Sequence, residues 1–245
     1  MLAERLVSKG HTVIAIGRSQ HQLDELSAAT GAVPLILDVS DAPAVAAAWV
    51  RVETEFGVPT LVVNNAGLAG SRGRTWEHEP SDWWRVFEVN VLGTFLVTRA
   101  ALPAMVARGS GRIVNVSSNA AFYPVDDDND GQINSAYMSS KAANIRFTEA
   151  VAGETAASGV QVFAISPGMV KTDMTAAIFA EAWDDPELWS PPELTVDLVE
   201  FIDSGALDSL SGRYIHAARD DWRSLPGRSV DVLANDEFAL RVRSP

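Results

Sequence analysis

The sequence Gly-Arg-Ile-Val-Asn-Val-Ser-Ser at residues 111–118 shows the pattern on which the fold prediction rests. A short run rich in Val and Ile, without polar–apolar alternation, ends in two small polar residues. Such a run is typical of a strand buried on both faces of a parallel sheet. Within this stretch, the predicted strand is residues 112–116. Five further runs share its composition: residues 12–16, 33–37, 60–63, 161–165 and 212–215.

Longer amphipathic segments alternate with these runs and predict helices. They comprise residues 20–28, 43–55, 81–108, 135–157 and 192–204. Regular β-α-β alternation predicts an α/β fold, a doubly wound parallel sheet flanked by helices. No repeat or low-complexity linker divides the chain, so a single domain over residues 1–245 is expected. Residues 172–210 break the rhythm and suit either a substrate lid or a packed pair of surface helices.

Composition excludes several classes of function. The 32 Asp and Glu against 19 Lys and Arg give a net charge of −13, which repels nucleic acid and anionic membranes. With no cysteine, disulfides and thiol nucleophiles are ruled out. The four histidines lack metal-ligand spacing, so no metal is expected. Arg99 and Pro103 interrupt the most apolar stretch and no leader is visible, which together favour a cytoplasmic protein.

Small or polar residues stand at the ends of five consecutive predicted strands. They are Gly17-Arg18-Ser19, Asp38-Val39, Asn64-Asn65-Ala66-Gly67, Ser117-Ser118 and Ser166-Pro167-Gly168. In open parallel sheets, ligands bind beyond the carboxyl ends of the strands. The sequence therefore predicts a cleft for a long ligand along this edge.

Tyr137 and Lys141 are four residues apart on a predicted helix, so both side chains lie on one face. A nearby ammonium lowers the pKa of a phenol and makes it a usable general acid or base. The spacing alone also fits an ordinary surface pair. Ser118 strengthens the catalytic interpretation, because its hydroxyl follows the preceding strand and could hydrogen-bond a substrate carbonyl.

Together, Asn-Asn-Ala-Gly at 64–67, Asn90, Ser118, Tyr137 with Lys141, and Pro-Gly-Met-Val-Lys-Thr at 167–172 resemble the compact short-chain dehydrogenase/reductase family. The resemblance spans about residues 3–215 and implies a Rossmann-like fold. It also implies that Tyr137 is the general acid/base, that Lys141 lowers its pKa and binds the nicotinamide ribose, and that Ser118 orients the substrate oxygen. Asn90 would hold a water of the proton relay. Ser117 is the competing hydroxyl.

The same resemblance implies the cofactor contacts. Asp38 and Val39 match the adenine site, while Asn65, Ala66 and Gly67 match the turn under the adenosine and Asn64 braces the sheet. Pro167, Gly168, Val170 and Thr172 match the segment that touches the nicotinamide amide. Where an acid would bind the ribose of NAD, this chain has Gly17 followed by Arg18 and Ser19, which favours NADP(H) over NAD(H). Arg18 could instead be a solvated surface arginine.

The chain departs from the family at its N-terminus. The first family strand and its TGxxxGxG turn are missing, and residues 1–7 already resemble the helix that follows them. In the family sheet order 3-2-1-4-5-6-7 that strand is central, so its loss leaves two strands with unpaired amides. Our leading hypothesis is that about 15–20 residues precede Met1. The alternative is a truncated, non-catalytic binding or scaffolding protein.

Two further departures concern the pocket. Ser118 and Tyr137 are separated by more residues than is usual, and the surplus contains Phe122, Tyr123 and the acidic run 126–130, which either walls the pocket or bulges into solvent. His216 fits a structural or pocket-wall role. The expected activity is hydride transfer between NADP(H) and a moderately hydrophobic carbonyl or secondary alcohol. Helices 81–108 and 135–157 resemble the family's self-association pair, which predicts a homodimer or homotetramer.

Overall fold

The computed structural model describes residues 1–123, 134–180 and 183–241. It confirms the predicted α/β fold, with six parallel strands close to the predicted runs. They are β1 (Ile14–Gly17), β2 (Val33–Ile36), β3 (Leu61–Asn64), β4 (Gly111–Val116), β5 (Val160–Ser166) and β6 (Tyr214–His216). The acidic run 126–130 lies outside the described residues.

Helices follow or precede each strand and pack on the sheet. They are α1 (Leu2–Ser8), α2 (Gln20–Thr30), α3 (Ala42–Phe56), α4 (Pro80–Phe87), α5 (Thr94–Arg108), α6 (Ser135–Thr155), α7 (Asp173–Ile178), α8 (Pro192–Asp203) and α9 (Leu225–Ala234). Side-chain oxygens of Ser19, Asp41 and Asn134 accept backbone N–H bonds at the starts of α2, α3 and α6. The predicted helix 81–108 is divided, because a π-helical turn at Glu88–Gly93 joins α4 to α5.

The strands form two separate sheets within the described ranges. One sheet contains β1 and β2, and the other has the order β3-β4-β5-β6. Because β1 and β3 are not paired to each other, one edge of each strand faces an opening. The sheet order 3-2-1-4-5-6-7 implied by the resemblance predicts this arrangement when its first strand is missing. Strands 3 and 2 of that order then correspond to β2 and β1, and strands 4 to 7 correspond to β3, β4, β5 and β6.

Two apolar cores cover the faces of the sheets. One surrounds Trp49, Met105 and Val162, and the other surrounds Phe163, Ile202 and Trp222. The continuous helical stretch Pro80–Arg108 is long and apolar enough to cross a membrane by length and composition, but half of its apolar window is buried in the protein. Its buried residues include Leu96, Ala101 and Met105, as expected of a core helix.

Candidate active site

The site lies where β4 ends and α6 begins. Ser118 lies close enough to the Tyr137 phenol to act on its pKa, and its Oγ accepts the N–H of Ala120 at 3.1 Å. The neighbouring Ser117 is buried and donates its hydroxyl to the carbonyl oxygen of Lys141 at 2.8 Å. The structure therefore brings Ser118 to the phenol, whereas Ser117 fastens the strand to the helix.

Lys141 lies one turn after Tyr137, with its Nζ 5.5 Å from the centre of the Tyr137 ring. The side chain is 4% exposed, and Nζ donates to the carbonyl oxygen of Val116 at 2.8 Å. Asn134 fixes the start of the helix, because its Oδ1 accepts the N–H of Tyr137 at 3.0 Å. The helix and the strand end thus hold the phenol and the amine in one pocket.

Burial dominates the electrostatics of this pair. It lowers the pKa of Lys141 to about 8, because desolvation disfavours the ammonium. It also raises the pKa of Tyr137, against an opposing hydrogen bond from Ser118. The loss of hydration around the phenolate is the largest effect on the Tyr137 pKa, and the lowering of that pKa by Lys141 stays a prediction. Tyr137 is therefore held as a neutral proton donor.

Asn90 lies in the π-helical turn and is fully buried. Its Oδ1 accepts the N–H of Leu68 at 2.7 Å, and its Nδ2 donates to the carbonyl of Leu68 and to Ser140 Oγ, both at 2.9 Å. A Cβ at Gly67 would lie 3.4 Å from Asn90 Oδ1 and 3.6 Å from Lys141 Nζ. The side chain of Asn90 thus ties the turn after β3 to α6, and its water-holding role stays a prediction.

The adenosine side of the predicted site is formed by the ends of β1, β2 and β3. Asp38 accepts hydrogen bonds from Ser40 and Arg85, which lower its pKa to about 2. Arg18 is exposed, with Nη1 4.0 Å from Asp38 Oδ2. Val39 packs against Gly93, while Asn65 and Ala66 face solvent beside Gly67. Ser19 serves as the cap of α2.

The nicotinamide side is formed by the loop after β5. Gly168 has a φ of +79°, and a Cβ there would lie 2.4 Å from Ser190 Oγ and 3.4 Å from His216. The carbonyls of Pro167 and Val170 accept hydrogen bonds from Thr195 and Thr175, and Thr172 caps α7. His216 has a structural role, because its Nδ1 accepts the N–H groups of Ala218 and Arg219.

An aromatic cluster fills the predicted lid. Trp189 contacts both Trp183 and Phe179, with ring centres 5.0 and 6.3 Å apart. Lys171 Nζ lies 4.9 Å from the Trp183 ring centre, and the Arg72 guanidinium lies 4.8 Å from that of Phe179. The lid is therefore joined to the loops after both β3 and β5.

Some features of the site were not found from the sequence. Asn64 braces the sheet as expected, donating to Asn115 Oδ1 at 2.8 Å. Sequence reasoning missed Arg85 and Ser140, whose partners are far away along the chain. Within the described ranges, no group of three His, Asp or Glu side chains could hold a metal ion.

The described residues fit the two ends of a nicotinamide dinucleotide. Gly67 leaves open backbone beside Lys141, and the polar ends of β1 and β2 stand at the opposite end of the cleft. Which of these groups contact the adenosine and the nicotinamide ribose stays a prediction.

Comparisons with known proteins bear on this site. A family model described as short chain dehydrogenase matches residues 1–183, which include Ser118, Tyr137 and Lys141. The short chain dehydrogenase mpl6 of Monascus purpureus is 36% identical over 208 residues, covering 85% of this chain and 68% of that protein.

Two solved structures share the fold. One, described as a ribose-5-phosphate isomerase from Brucella melitensis 16M, has a TM-score of 0.79 at 28% identity and covers 88% of this chain and 84% of its own. The other, a tryptophan variant of actinorhodin polyketide ketoreductase with NADPH, has a TM-score of 0.77 at 27% identity, covering 88% of this chain and 89% of its own. Because one fold supports many different reactions, the similarity to a protein described as an isomerase does not assign an isomerase activity to this chain.

Proposed function

This chain belongs to the short-chain dehydrogenase family of oxidoreductases, and from that premise we propose that it transfers a hydride between NADP(H) and a carbonyl or secondary alcohol. The observation that carries the proposal is the meeting of Tyr137, Ser118 and Lys141 at one strand end. A neutral phenol held by a serine hydroxyl beside a buried amine is suited to exchanging a proton with a substrate oxygen.

Each group has a defined task in the reduction of a carbonyl. The nicotinamide cofactor supplies the hydride when bound. Ser118 donates a hydrogen bond that orients the substrate oxygen, and the Tyr137 hydroxyl gives its proton to that oxygen as negative charge develops there. Lys141 is placed to stabilise the resulting phenolate, and its pKa of about 8 lets it pass on a proton near neutral pH. In the oxidation direction the same steps run backwards.

Arg18 supports the preference for NADPH. It follows β1 directly, next to Gly17, which stands where an acid would bind the ribose 2′-hydroxyl of NAD, and its guanidinium is exposed. A guanidinium there can bind a 2′-phosphate with two hydrogen bonds. The NADPH in the related ketoreductase structure is consistent with this choice.

The lid supports a moderately hydrophobic small-molecule substrate. The rings of Phe179, Trp183 and Trp189 cluster together, and Ser190, which follows Trp189, lies against Gly168. Apolar walls of this kind favour a substrate with a cyclic or aromatic body. The neighbour described as a polyketide ketoreductase reduces a ketone, and we extend that reaction class to this chain.

We also propose a homo-oligomer that buries α5. Leu92 of the preceding π-helical turn and Phe95 and Val106 of α5 are 39%, 42% and 43% exposed, and the three follow helical spacing. Exposed apolar side chains on one helix face suit a two-fold interface with a second copy. Size-exclusion chromatography with light scattering of the wild type and of Phe95→Glu tests this, because the charge should shift the chain towards monomer.

A second candidate is a non-catalytic binding protein, favoured by the opening between β1 and β3. A fluorescence titration separates the two functions, because Trp residues can transfer energy to bound NADPH. Saturable binding of NADPH supports the enzyme, whereas no binding of NADPH or NADH at millimolar concentration supports the alternative.

The catalytic assignment is tested with Tyr137→Phe. Removal of the proton donor should lower kcat for ketone reduction by about 10²–10⁴-fold, with the Kd for NADPH within about twofold of wild type. The matched control is Tyr123→Phe, which removes the hydroxyl of an exposed tyrosine that contacts Arg219. A panel of aromatic and alicyclic ketones with NADPH supplies the assay. Undiminished turnover by Tyr137→Phe would refute the mechanism.

A further inference from the structure

Arg85 occupies a position between the adenosine side of the cleft and the π-helical turn. It is carried by α4, and its Nη2 donates to Asp38 Oδ2 at 2.8 Å. Its Nη1 donates to Ser40 Oγ at 2.9 Å and to Glu88 Oε2 at 3.0 Å. These three contacts join the turn after β2 to the helix that leads to Asn90.

The carboxylate of Asp38 is thereby satisfied without help from Arg18. Its Oδ1 accepts the amide N–H of Ser40 at 2.9 Å and the Ser40 hydroxyl at 2.6 Å. Its Oδ2 accepts from Arg85, as described above. Both carboxylate oxygens therefore have short hydrogen bonds within this cluster, which we call the Asp38 cluster: Asp38, Ser40, Arg85 and Glu88.

Arg18 lies at the rim of the Asp38 cluster. Because Gly17 of β1 pairs with Ile36 of β2, the residues after these strands share one edge of the sheet. The Arg18 side chain is 58% exposed, and its 4.0 Å separation from Asp38 Oδ2 is too long for a hydrogen bond. The guanidinium of Arg18 is thus in a long ion-pair contact with Asp38 and keeps its N–H groups exposed to an anion.

A count of charges shows what Arg85 changes. Asp38 and Glu88 carry two negative charges, which Arg85 and Arg18 together balance. Without Arg85, the Asp38 carboxylate would lose a hydrogen bond, and Arg18 would be the nearest cation to it. Arg18 would then move closer to Asp38 and form a shorter ion pair. The rim would then present a net negative charge, which repels a phosphate and accepts hydrogen bonds from a ribose hydroxyl.

We propose that Arg85 is a specificity-determining residue for the cofactor: it neutralises Asp38 and so leaves Arg18 to the 2′-phosphate of NADPH. This inference rests on the proposed function, since it concerns the same cofactor site. The residue that it adds to the site, Arg85, follows Asp38 by 47 positions along the chain and acts through Asp38 and Arg18.

The experiment measures Kd for NADPH and for NADH by energy transfer from tryptophan, in the full-length chain. Arg85→Met should weaken NADPH binding by roughly tenfold or more while the Kd for NADH changes by less than about threefold. Arg51→Met is the matched control, because it removes the same charge from an exposed arginine of α3 that pairs with Glu55. It should leave the ratio of the two Kd values unchanged.

Two further variants keep the outcome decisive. Arg85→Gln retains hydrogen-bonding capacity without charge and should shift the ratio of the two Kd values in the same direction. It therefore tests the inference even if Arg85→Met folds poorly. The double variant Asp38→Asn with Arg85→Met removes both charges and should restore most of the NADPH preference. A ratio that stays at the wild-type value in either single Arg85 variant overturns the inference.

Arg18→Met distinguishes this inference from the proposed function beneath it. If Arg18→Met lowers the NADPH preference and the Arg85 variants do not, only the role of Arg85 is wrong. If Arg18→Met also leaves the preference unchanged, the assignment of the 2′-phosphate site fails, and the role of Arg85 fails with it.

Discussion

At the scale of single residues, Lys141 is the most costly group in the site. Its side chain is 4% exposed, and within the described residues it is not ion-paired to a carboxylate. A buried ammonium without a counter-charge destabilises the folded state, which is why its pKa falls from 10.5 to about 8. The chain therefore holds a group that weakens the fold at a position where the proposed chemistry uses it.

This cost predicts how stability depends on pH. Between pH 8 and 10.5 the unfolded chain keeps a proton on Lys141 that the folded chain has released. Stability contributed by this group therefore rises with pH across that window, and below pH 8 the full penalty remains. Relative to Lys141→Met, the wild type should gain roughly 2–3 kcal/mol in free energy of unfolding as the pH rises through the window.

Urea unfolding at pH 7, 8, 9 and 10 measures this difference. The control is Lys171→Met, which removes an exposed ammonium elsewhere on the chain. A difference that stays constant with pH for Lys141→Met would mean that the Lys141 ammonium is hydrated in solution. Lys141→Met should also lose ketone reduction, so that greater stability at neutral pH accompanies lower activity.

At the scale of elements, the π-helical turn at Glu88–Gly93 connects the two halves of the cleft. Asn90 within it bonds to Leu68 and Ser140 on the catalytic side. Gly93 ends the same turn against Val39, on the adenosine side. A shift of this turn would therefore disturb both ends of the site.

Gly93→Ala tests the packing of the turn. The added Cβ would lie 2.6 Å from Val39 Cγ2 and 3.3 Å from Val39 Cβ, closer than atoms can pack without movement. We expect a loss of about 1–3 kcal/mol, or roughly 3–10 °C in Tm. Gly153→Ala is the control, because a Cβ there, in the last turn of α6, meets no atom within 4 Å. It should raise stability by about 0.5–1 kcal/mol, and an equal, small effect of both variants would contradict the close contact.

The elements also show what local sequence can and cannot predict. Strand runs and the Tyr137–Lys141 spacing were readable because each depends on residues that are near in sequence. The π-helical turn that divides the predicted helix 81–108 could not be predicted from local sequence. It accompanies hydrogen bonds of Asn90 with residues 22 and 50 positions away. Helix α9 was not predicted, because Pro226 and Gly227 in its first turn are poor helix formers and interrupt the helical pattern of apolar residues. Leu225 and Val232 are nevertheless buried. Arg85 was missed because its role depends on Asp38, 47 positions earlier.

At the scale of the whole molecule, the division of the sheet is the dominant feature. Among the described residues, strands β4 and β5 are paired on both sides, whereas β1 and β3 each pair with a strand on one side only. Ile16 beside the opening between β1 and β3 packs on one core, and Leu61 and Val63 pack on the other. Because Val62 of β3 belongs to the first core, β3 separates the two cores, and we expect local opening to be easiest beside its interrupted backbone pairing.

Hydrogen exchange measured by mass spectrometry tests this expectation. Since amides alternate in direction along a parallel strand, about half of those in β1 and β3 face the opening. These amides should exchange at early times, while peptides that cover β4 and β5 stay protected in the same sample. The comparison of β3 with β4 is the critical one, because the two strands are neighbours in one sheet. If β3 is protected as strongly as β4, its free edge must be paired in solution, and a further strand then completes the sheet between β1 and β3.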